Sequence, residues 1–153
     1  MTKTSAGILL YRGEGDSVEV LLVHPGGPFW AKKDEGAWSI PKGELNEGEE
    51  SRVCALRELE EEIGSSLGLT SERLTDLGEV RLKSGKLVQG WAAEGDFDPS
   101  TLHSNTFEME WPPRSGKQCE FPEVDRAEWF APEQARRKIN PAQAEFIDRL
   151  VAR

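Results

Sequence analysis

Seven glutamates and two arginines crowd the segment Asn46–Glu62: Glu47, Glu49, Glu50, Glu58, Glu60, Glu61 and Glu62, beside Arg52 and Arg57. Three of the carboxylates, Glu58, Glu61 and Glu62, stand at i, i+3 and i+4, a spacing that puts them on one side of a helix. Like charges so placed repel, and only water or cations relieve them. A solvated acidic face is the plainer alternative for such a run. Hard divalent cations such as Mg²⁺ take oxygen ligands and share them readily with phosphates, so the chemistry to test is metal-assisted work on a phosphate compound.

The elements that must position these groups are legible around them. Asn46 is a suitable N-cap and Glu49 stands three residues on, as in a capping box. Gly64 follows the last periodic residue and suits a C-terminal stop. Between them Val53, Leu56, Leu59 and Ile63 recur at three- and four-residue steps and predict a core-facing stripe. Glu58, Glu61 and Glu62 fall on an arc of roughly 100° across from that stripe, with Arg57 at its border.

The stretch resembles the signature of the Nudix hydrolases: Gly, five residues, Glu, seven residues, Arg-Glu, an aliphatic, any residue, Glu-Glu, any residue, Gly, an aliphatic. Gly43, Glu49, Arg57, Glu58, Leu59, Glu61, Glu62 and Gly64 match in sequence, and Ser65 stands where the last aliphatic is expected. Trp38-Ser39-Ile40-Pro41-Lys42 looks like the family's lead-in. The resemblance implies an α/β/α sandwich with a mixed central sheet, and hydrolysis of a nucleoside diphosphate linked to another group, assisted by Mg²⁺ or Mn²⁺. It implies that Glu58, Glu61 and Glu62 hold metal and that one of them can deprotonate the water. Glu49 has two expected roles, peripheral metal ligand or helix cap. Arg57 is expected to orient the carboxylates through a fork-like ion pair. Gly43 lets the backbone approach closely, and the Lys42 carbonyl is the expected main-chain ligand. By analogy, Glu123, six residues before Trp129, supplies one more ligand or a base, with Glu120 in reserve.

Composition bounds the partners. The chain has 153 residues, a net charge of −9 and a pI near 4.8. One domain over residues 1–153 is expected. The acidic balance argues against general nucleic-acid binding, whereas a nucleotide can be reached through bridging cations. No signal peptide or membrane span is read. Two cysteines, Cys54 and Cys119, do not make a disulfide framework, which points to a reducing cytoplasm. Cys54 reads as a small packing residue rather than a nucleophile, and His24 as structural. The oligomeric state is left open.

Residues 4–12 and 18–23 read as a hairpin around Gly13–Asp16. The Gly- and Pro-rich loop 24–37 offers Lys32 and Lys33 to phosphates and Phe29 or Trp30 to a base; solvated charge and loop anchoring are the alternatives. Residues 74–82, 86–93 and 105–111 read as strands, and 112–117 as a loop whose Arg114 and Lys117 are candidate phosphate contacts. Residues 120–125 lead into a strand at 126–130. Helices are expected from Pro132 to Asn140 and from Pro141 onward, the last with Ala144, Ile147, Leu150 and Val151 on one face. For the leaving group, neither a Tyr nor a Pro stands some 16 to 18 residues after the signature, where family members cleaving diadenosine polyphosphates or ADP-ribose carry one. Arg81, Leu82 and Lys83 occupy that window. Arg81, Lys83 and the Lys42 side chain suit several phosphates. The reading leans toward a nucleoside triphosphate, with a diadenosine polyphosphate hydrolase or a non-catalytic nucleotide sensor as alternatives. Intact Arg-Glu and Glu-Glu pairs favour catalysis.

Overall fold

Residues Ser5–Leu10 of the first strand are all buried, an apolar run with no polar face. Such a strand needs cover on both sides. The computed structural model describes residues 3–152 and supplies it. β1 (Thr4–Arg12) turns Ala6, Ile8 and Leu10 toward one helix and Leu9 toward two others, and the two core clusters lie on opposite faces of the sheet. The result is a three-layer α/β/α sandwich.

The main sheet is mixed. β2 (Glu19–Pro25), β3 (Lys42–Glu44), β4 (Thr75–Arg81), β5 (Leu87–Glu94) and β8 (Val124–Phe130) join β1 in the order β4-β5-β1-β2-β8, with β3 also on β1. β1 and β5 run parallel from Thr4↔Leu87 to Tyr11↔Glu94. Along its other edge β1 is shared. Its end pairs with β2 only at Tyr11↔Val20 and Arg12↔Glu19, while Ser5–Gly7 pair with β3. The strip Trp38–Pro41 fills the gap, bridging Val23 through Ser39 and receiving the Ile8 N–H at the Pro41 carbonyl.

α1 (Ser51–Ile63) covers one face of the sheet. α2 (Pro132–Lys138) and α3 (Ala144–Val151) cover the other, where Phe146 packs against the bare α-carbon of Gly90. β6 (Thr106–Glu110) and β7 (Gln118–Pro122) form a separate two-stranded ribbon. Among the described residues no helix is long and apolar enough to cross a membrane. Cys54 and Cys119 are free thiols.

Several expectations are corrected. α1 begins at Ser51 with Glu50 as its cap, not at Asn46. Gly48 lies at φ +75°, a left-handed turn that no helix passes through, and Asn46–Glu49 form a turn of their own before it. Gly64 does end the helix, at φ +88°. Val53 is exposed; the stripe facing the core is Cys54, Ala55, Leu59 and Ile63, with Leu56 partly buried at its edge. In α3 the anchors are Phe146 and Ile147, while Val151 is exposed. β7 occupies residues expected as irregular lead-in. Ser65 is not a packing residue; its hydroxyl accepts the Leu67 N–H at 3.0 Å, closing the turn after the helix.

Candidate active site

The site is built where α1 crosses β3. Cys54, Glu58 and Glu62 form one i, i+4, i+8 ridge of α1, and that ridge runs along Lys42–Gly43. The Cys54 thiol donates to the Gly43 carbonyl at 3.4 Å. The Glu58 carboxylate lies directly on Gly43: a Cβ there would stand 2.1 Å from Glu58 Cδ. Only glycine leaves that space. This corrects the expected face, since Glu58 is buried against β3 rather than set across from the core; the solvent-facing glutamate of the cluster is Glu60.

Arg57 ties the carboxylates together. Its Nε and one terminal nitrogen donate to the two oxygens of Glu49, both at 2.9 Å, and its other terminal nitrogen donates to Glu58 at 2.8 Å and Glu61 at 3.2 Å. The two-pronged bond holds the Glu49 carboxyl down at about 2. Glu49 does not cap the helix; it caps the Asn46 N–H at 2.9 Å and anchors Arg57. Hydrogen bonding to Glu49 raises the guanidinium still further above its ordinary range.

Glu58 and Glu62 are shifted the other way. Burial, then the Glu61 charge, pushes Glu58 up. Burial, then Glu58, pushes Glu62 up to about 8. Burial also lowers the Lys42 ammonium, against the opposing pull of Glu62. Burial takes the Cys54 thiol up to about 11, which fits packing and not nucleophilic attack.

Lys42 and Glu62 line a cavity of about 180 Å³ together with Glu123, Ser39, Ile40, Val23, Pro25 and Val124. It opens where β2 parts from β1, and Glu123 reaches it from the junction of β7 and β8. The Glu123 N–H donates to the Asn105 carbonyl, and the Asn105 N–H donates to the Glu61 carbonyl, both within 2.8–2.9 Å, so the Glu123 loop is fastened to α1. Glu120 lies on the ribbon opposite Glu108, away from the cavity lining.

Of the candidate phosphate contacts, Lys42 lines the cavity; the others sit outside that lining, Arg81 at the end of β4 and the rest on loops. Lys33 gives its carbonyl to His24 Nε2 at 2.7 Å and places its ammonium 4.9 Å over the Trp30 ring. His24 is fully buried and also meets Asp125 at 2.8 Å, so it is structural, pinning this loop to β8. Lys32 is exposed nearby. Phe29 is 60% exposed and packs edge-on against Trp111 of the ribbon loop. Arg114, at φ +64°, and Lys117 lie in that ribbon loop. Arg81 donates to the Gly85 carbonyl at 3.1 Å in the β4–β5 turn, which also carries the exposed Lys83. Lys86 of the same turn reaches Glu44 at 3.4 Å and adds positive charge beside Lys42. Sequence reasoning gave no role to Lys86, Asn105 and Gln143, none of which stands in a charge run or spaced motif that marks it, and read Ser39 only as part of the lead-in.

Among the described residues no three carboxylate, histidine or cysteine side chains converge closely enough to cage an ion alone. The donor set nevertheless suits a hard divalent cation: all oxygen, two carboxyls raised by burial and mutual repulsion, and a glycine keeping the main chain clear. The NUDIX domain family model matches residues 1–150. The chain belongs to the Nudix family. Among curated relatives, an 8-oxo-(d)GTP phosphatase of Mycolicibacterium smegmatis is 34% identical over 111 residues, which is 65% of this chain and 32% of that protein. An RNA pyrophosphohydrolase of Caulobacter vibrioides is 34% identical over 88 residues, 51% of each. This Nudix chain thus spans a third to a half of the curated relatives it matches. Among solved structures, a C. elegans Ap4A hydrolase in a binary complex superposes with a TM-score of 0.65 at 22% identity, covering 97% of this chain and 96% of that one. That likeness shows the Nudix fold.

Proposed function

We propose that this chain is a divalent-metal-dependent hydrolase of phosphoanhydrides, with a nucleoside triphosphate as substrate. The observation that carries the reading is the buried Glu58 carboxylate laid on Gly43 and braced by Arg57, with Glu62 one turn on beside Lys42. Two raised carboxyls side by side are a standing electrostatic cost that a cation removes. Glu58, Glu61 and Glu62 would hold Mg²⁺ or Mn²⁺ with the Lys42 carbonyl. The ion supplies charge neutralisation and a bound water of lowered pKa.

The chain's own residues do the rest. Arg57 fixes the rotamers of Glu58 and Glu61, and Glu49 fixes Arg57. Both Glu49 oxygens are engaged in that task, which favours the anchoring role over peripheral ligation. Glu123, fastened to α1 through Asn105, faces Glu62 across the cavity and is placed to hold a proton of the attacking water or to complete the ligand set. Lys42 stands in the cavity as a cation for a phosphate oxygen. Lys32, Lys33, Arg114 and Lys117, with Arg81 at the end of β4 and Lys83 in the turn after it, are the further cations we assign to a polyphosphate tail. Phe29 and Trp30 offer faces to the base.

The triphosphate is favoured over a diadenosine polyphosphate because a relative 34% identical is named for a nucleoside triphosphate, whereas the Ap4A hydrolase likeness is one of fold. A nucleic-acid 5′ end suits the net charge of −9 poorly. The test is a panel of nucleoside triphosphates, oxidised purine triphosphates, dinucleoside polyphosphates and nucleotide sugars with Mg²⁺ or Mn²⁺, read by product chromatography. Triphosphate turnover that stops with chelator is expected. Tight binding without turnover on any member would make the chain a sensor.

A further inference from the structure

The strip Trp38–Pro41 is the wall of the cavity and leads directly into Lys42, yet it belongs to none of the strands of the sheet. Its backbone groups can be followed one by one. The Trp38 N–H and carbonyl meet the Lys138 carbonyl at 3.0 Å and the Asn140 N–H at 2.7 Å. Both groups of Ser39 pair with Val23, at 2.8 and 3.0 Å. Pro41 has no N–H, and its carbonyl takes the Ile8 N–H at 3.2 Å. Ile40, fully buried, is left over.

One side chain completes it. Gln143 Oε1 accepts the Ile40 N–H at 3.1 Å. Gln143 Nε2 donates to Ser39 Oγ at 3.1 Å, and that hydroxyl donates to the Ile40 carbonyl at 2.7 Å. The amide thus stands in for part of a missing strand: it takes the Ile40 N–H directly and reaches the Ile40 carbonyl through the Ser39 hydroxyl. Gln143 is 1% exposed and comes from the opposite helix layer, about a hundred residues away. Its own position is set by Asn140, whose side chain accepts the Ala142 N–H at 2.9 Å and whose carbonyl accepts the Gln143 N–H at 2.8 Å.

We infer that Gln143 is a positioning residue of the active site, holding the Ser39–Pro41 strip, and through it the backbone of Lys42, at a fixed distance from Glu62. The inference rests on the reading of the Lys42–Glu62 cavity as the metal site. Among the described residues Gln143 is the group that takes the Ile40 N–H, so losing the amide orphans a buried donor two residues before Lys42 and loosens the approach to the cavity, while the pairing of Pro41 and Lys42 with β1 remains. Partners hydrogen-bonded directly to a metal ligand are commonly worth about 10- to 100-fold in affinity or activity, and Gln143, which acts two residues before Lys42, is assigned the low end of that range.

The experiment measures Mn²⁺ binding by the loss of the free-ion EPR signal, with kcat and KM for a triphosphate, in wild type, Gln143→Met and Gln143→Glu. Folding is checked by near-ultraviolet circular dichroism at the assay temperature. Gln143→Met keeps the volume but neither hydrogen bond, and is expected to weaken Mn²⁺ binding and lower kcat by about tenfold each, with KM within about twofold. Gln143→Glu reproduces both bonds only when protonated, so its Mn²⁺ affinity relative to wild type should climb as the pH falls from 8 to 6. A folded Gln143→Met with wild-type Mn²⁺ affinity and kcat overturns the inference. If that variant does not fold, a Gln143→Glu whose affinity ratio is flat with pH and near one overturns it. Wild type that binds no Mn²⁺, either alone or with the triphosphate present, overturns the metal-site reading along with it. Wild-type binding with unaltered variants overturns the Gln143 role alone.

Discussion

Replacing Glu62 by glutamine should make the metal-free protein more stable, and more so as the pH rises. The carboxyl is mostly buried, and burial together with Glu58 carries it from its ordinary 4.5 to about 8. The sign follows from linkage. Below about pH 4.5 the group is protonated in both folded and unfolded chains and has no effect. Between there and about pH 8 the folded chain holds a proton that the unfolded chain has released, so stability falls as the pH rises; above that range the whole penalty is present. At about 1.4 kcal/mol per tenfold change in proton affinity, the penalty is at most about 5 kcal/mol. Relaxation of the site lowers this, as does the loss of Glu62 as the partner of Lys42, leaving a gain of about 1–3 kcal/mol for the glutamine variant. For a chain of this size that raises Tm by about 3–8 °C. The assay is thermal unfolding by circular dichroism, in chelator, at pH 5, 7 and 8.5. The gap between variant and wild type should be small at pH 5 and widest at pH 8.5. A gap that does not change with pH, or a variant less stable at pH 8.5, would refute the placement of Glu62 as a buried, repelled carboxylate. Turnover should fall by orders of magnitude in the same variant.

Gly43→Ala puts a methyl group within 2.1 Å of Glu58 Cδ; it should cost about 1–3 kcal/mol of stability by overpacking and remove most turnover, both read on one preparation. Millimolar Mg²⁺ or Mn²⁺ should raise Tm relative to chelator, by the equivalent of about 2.7 kcal/mol at 100 times Kd. That rise should vanish in a Glu58→Gln/Glu61→Gln double variant, and a Tm unmoved by metal in wild type would place no metal on α1 without substrate.

What could be read in the sequence was what local spacing encodes. Gly43, Arg57, Glu58, Glu61 and Glu62 are marked by intervals within one helix and its approach, and the hairpin and the β4–β5 pair announce themselves by their apolar runs and turns. The misses have physical causes. Asn46 and Glu49 have the chemistry of a capping box, and they spend it on a turn because Gly48 interrupts the helix path. The periodicity that named Val53 could not separate the sheet-facing row Ala55–Leu59–Ile63 from the adjacent row Cys54–Glu58–Glu62, since a buried carboxylate looks polar in sequence and is placed by Gly43 across the chain. β7 was hidden by Pro122 and by its exposed polar positions, Gln118 and Glu120, which alternate outward on the ribbon. Gln143 matters only through contacts made about a hundred residues away, which no local interval records.

The sharing of β1 between distant partners also sets the order in which the molecule can assemble. β1 meets β5 in parallel across more than eighty residues of chain, and the Trp38–Pro41 strip waits for Ile139 and Gln143. Loops that long are closed late, because their entropy is spent before their contacts repay it. The helix carrying the glutamates is local and can form early, but the wall it faces is finished only when the last part of the chain docks. The geometry of the candidate site is therefore a report on complete folding: on the proposed reading, a molecule that lacks the last part of the chain is expected to lose the cavity wall and, with it, turnover.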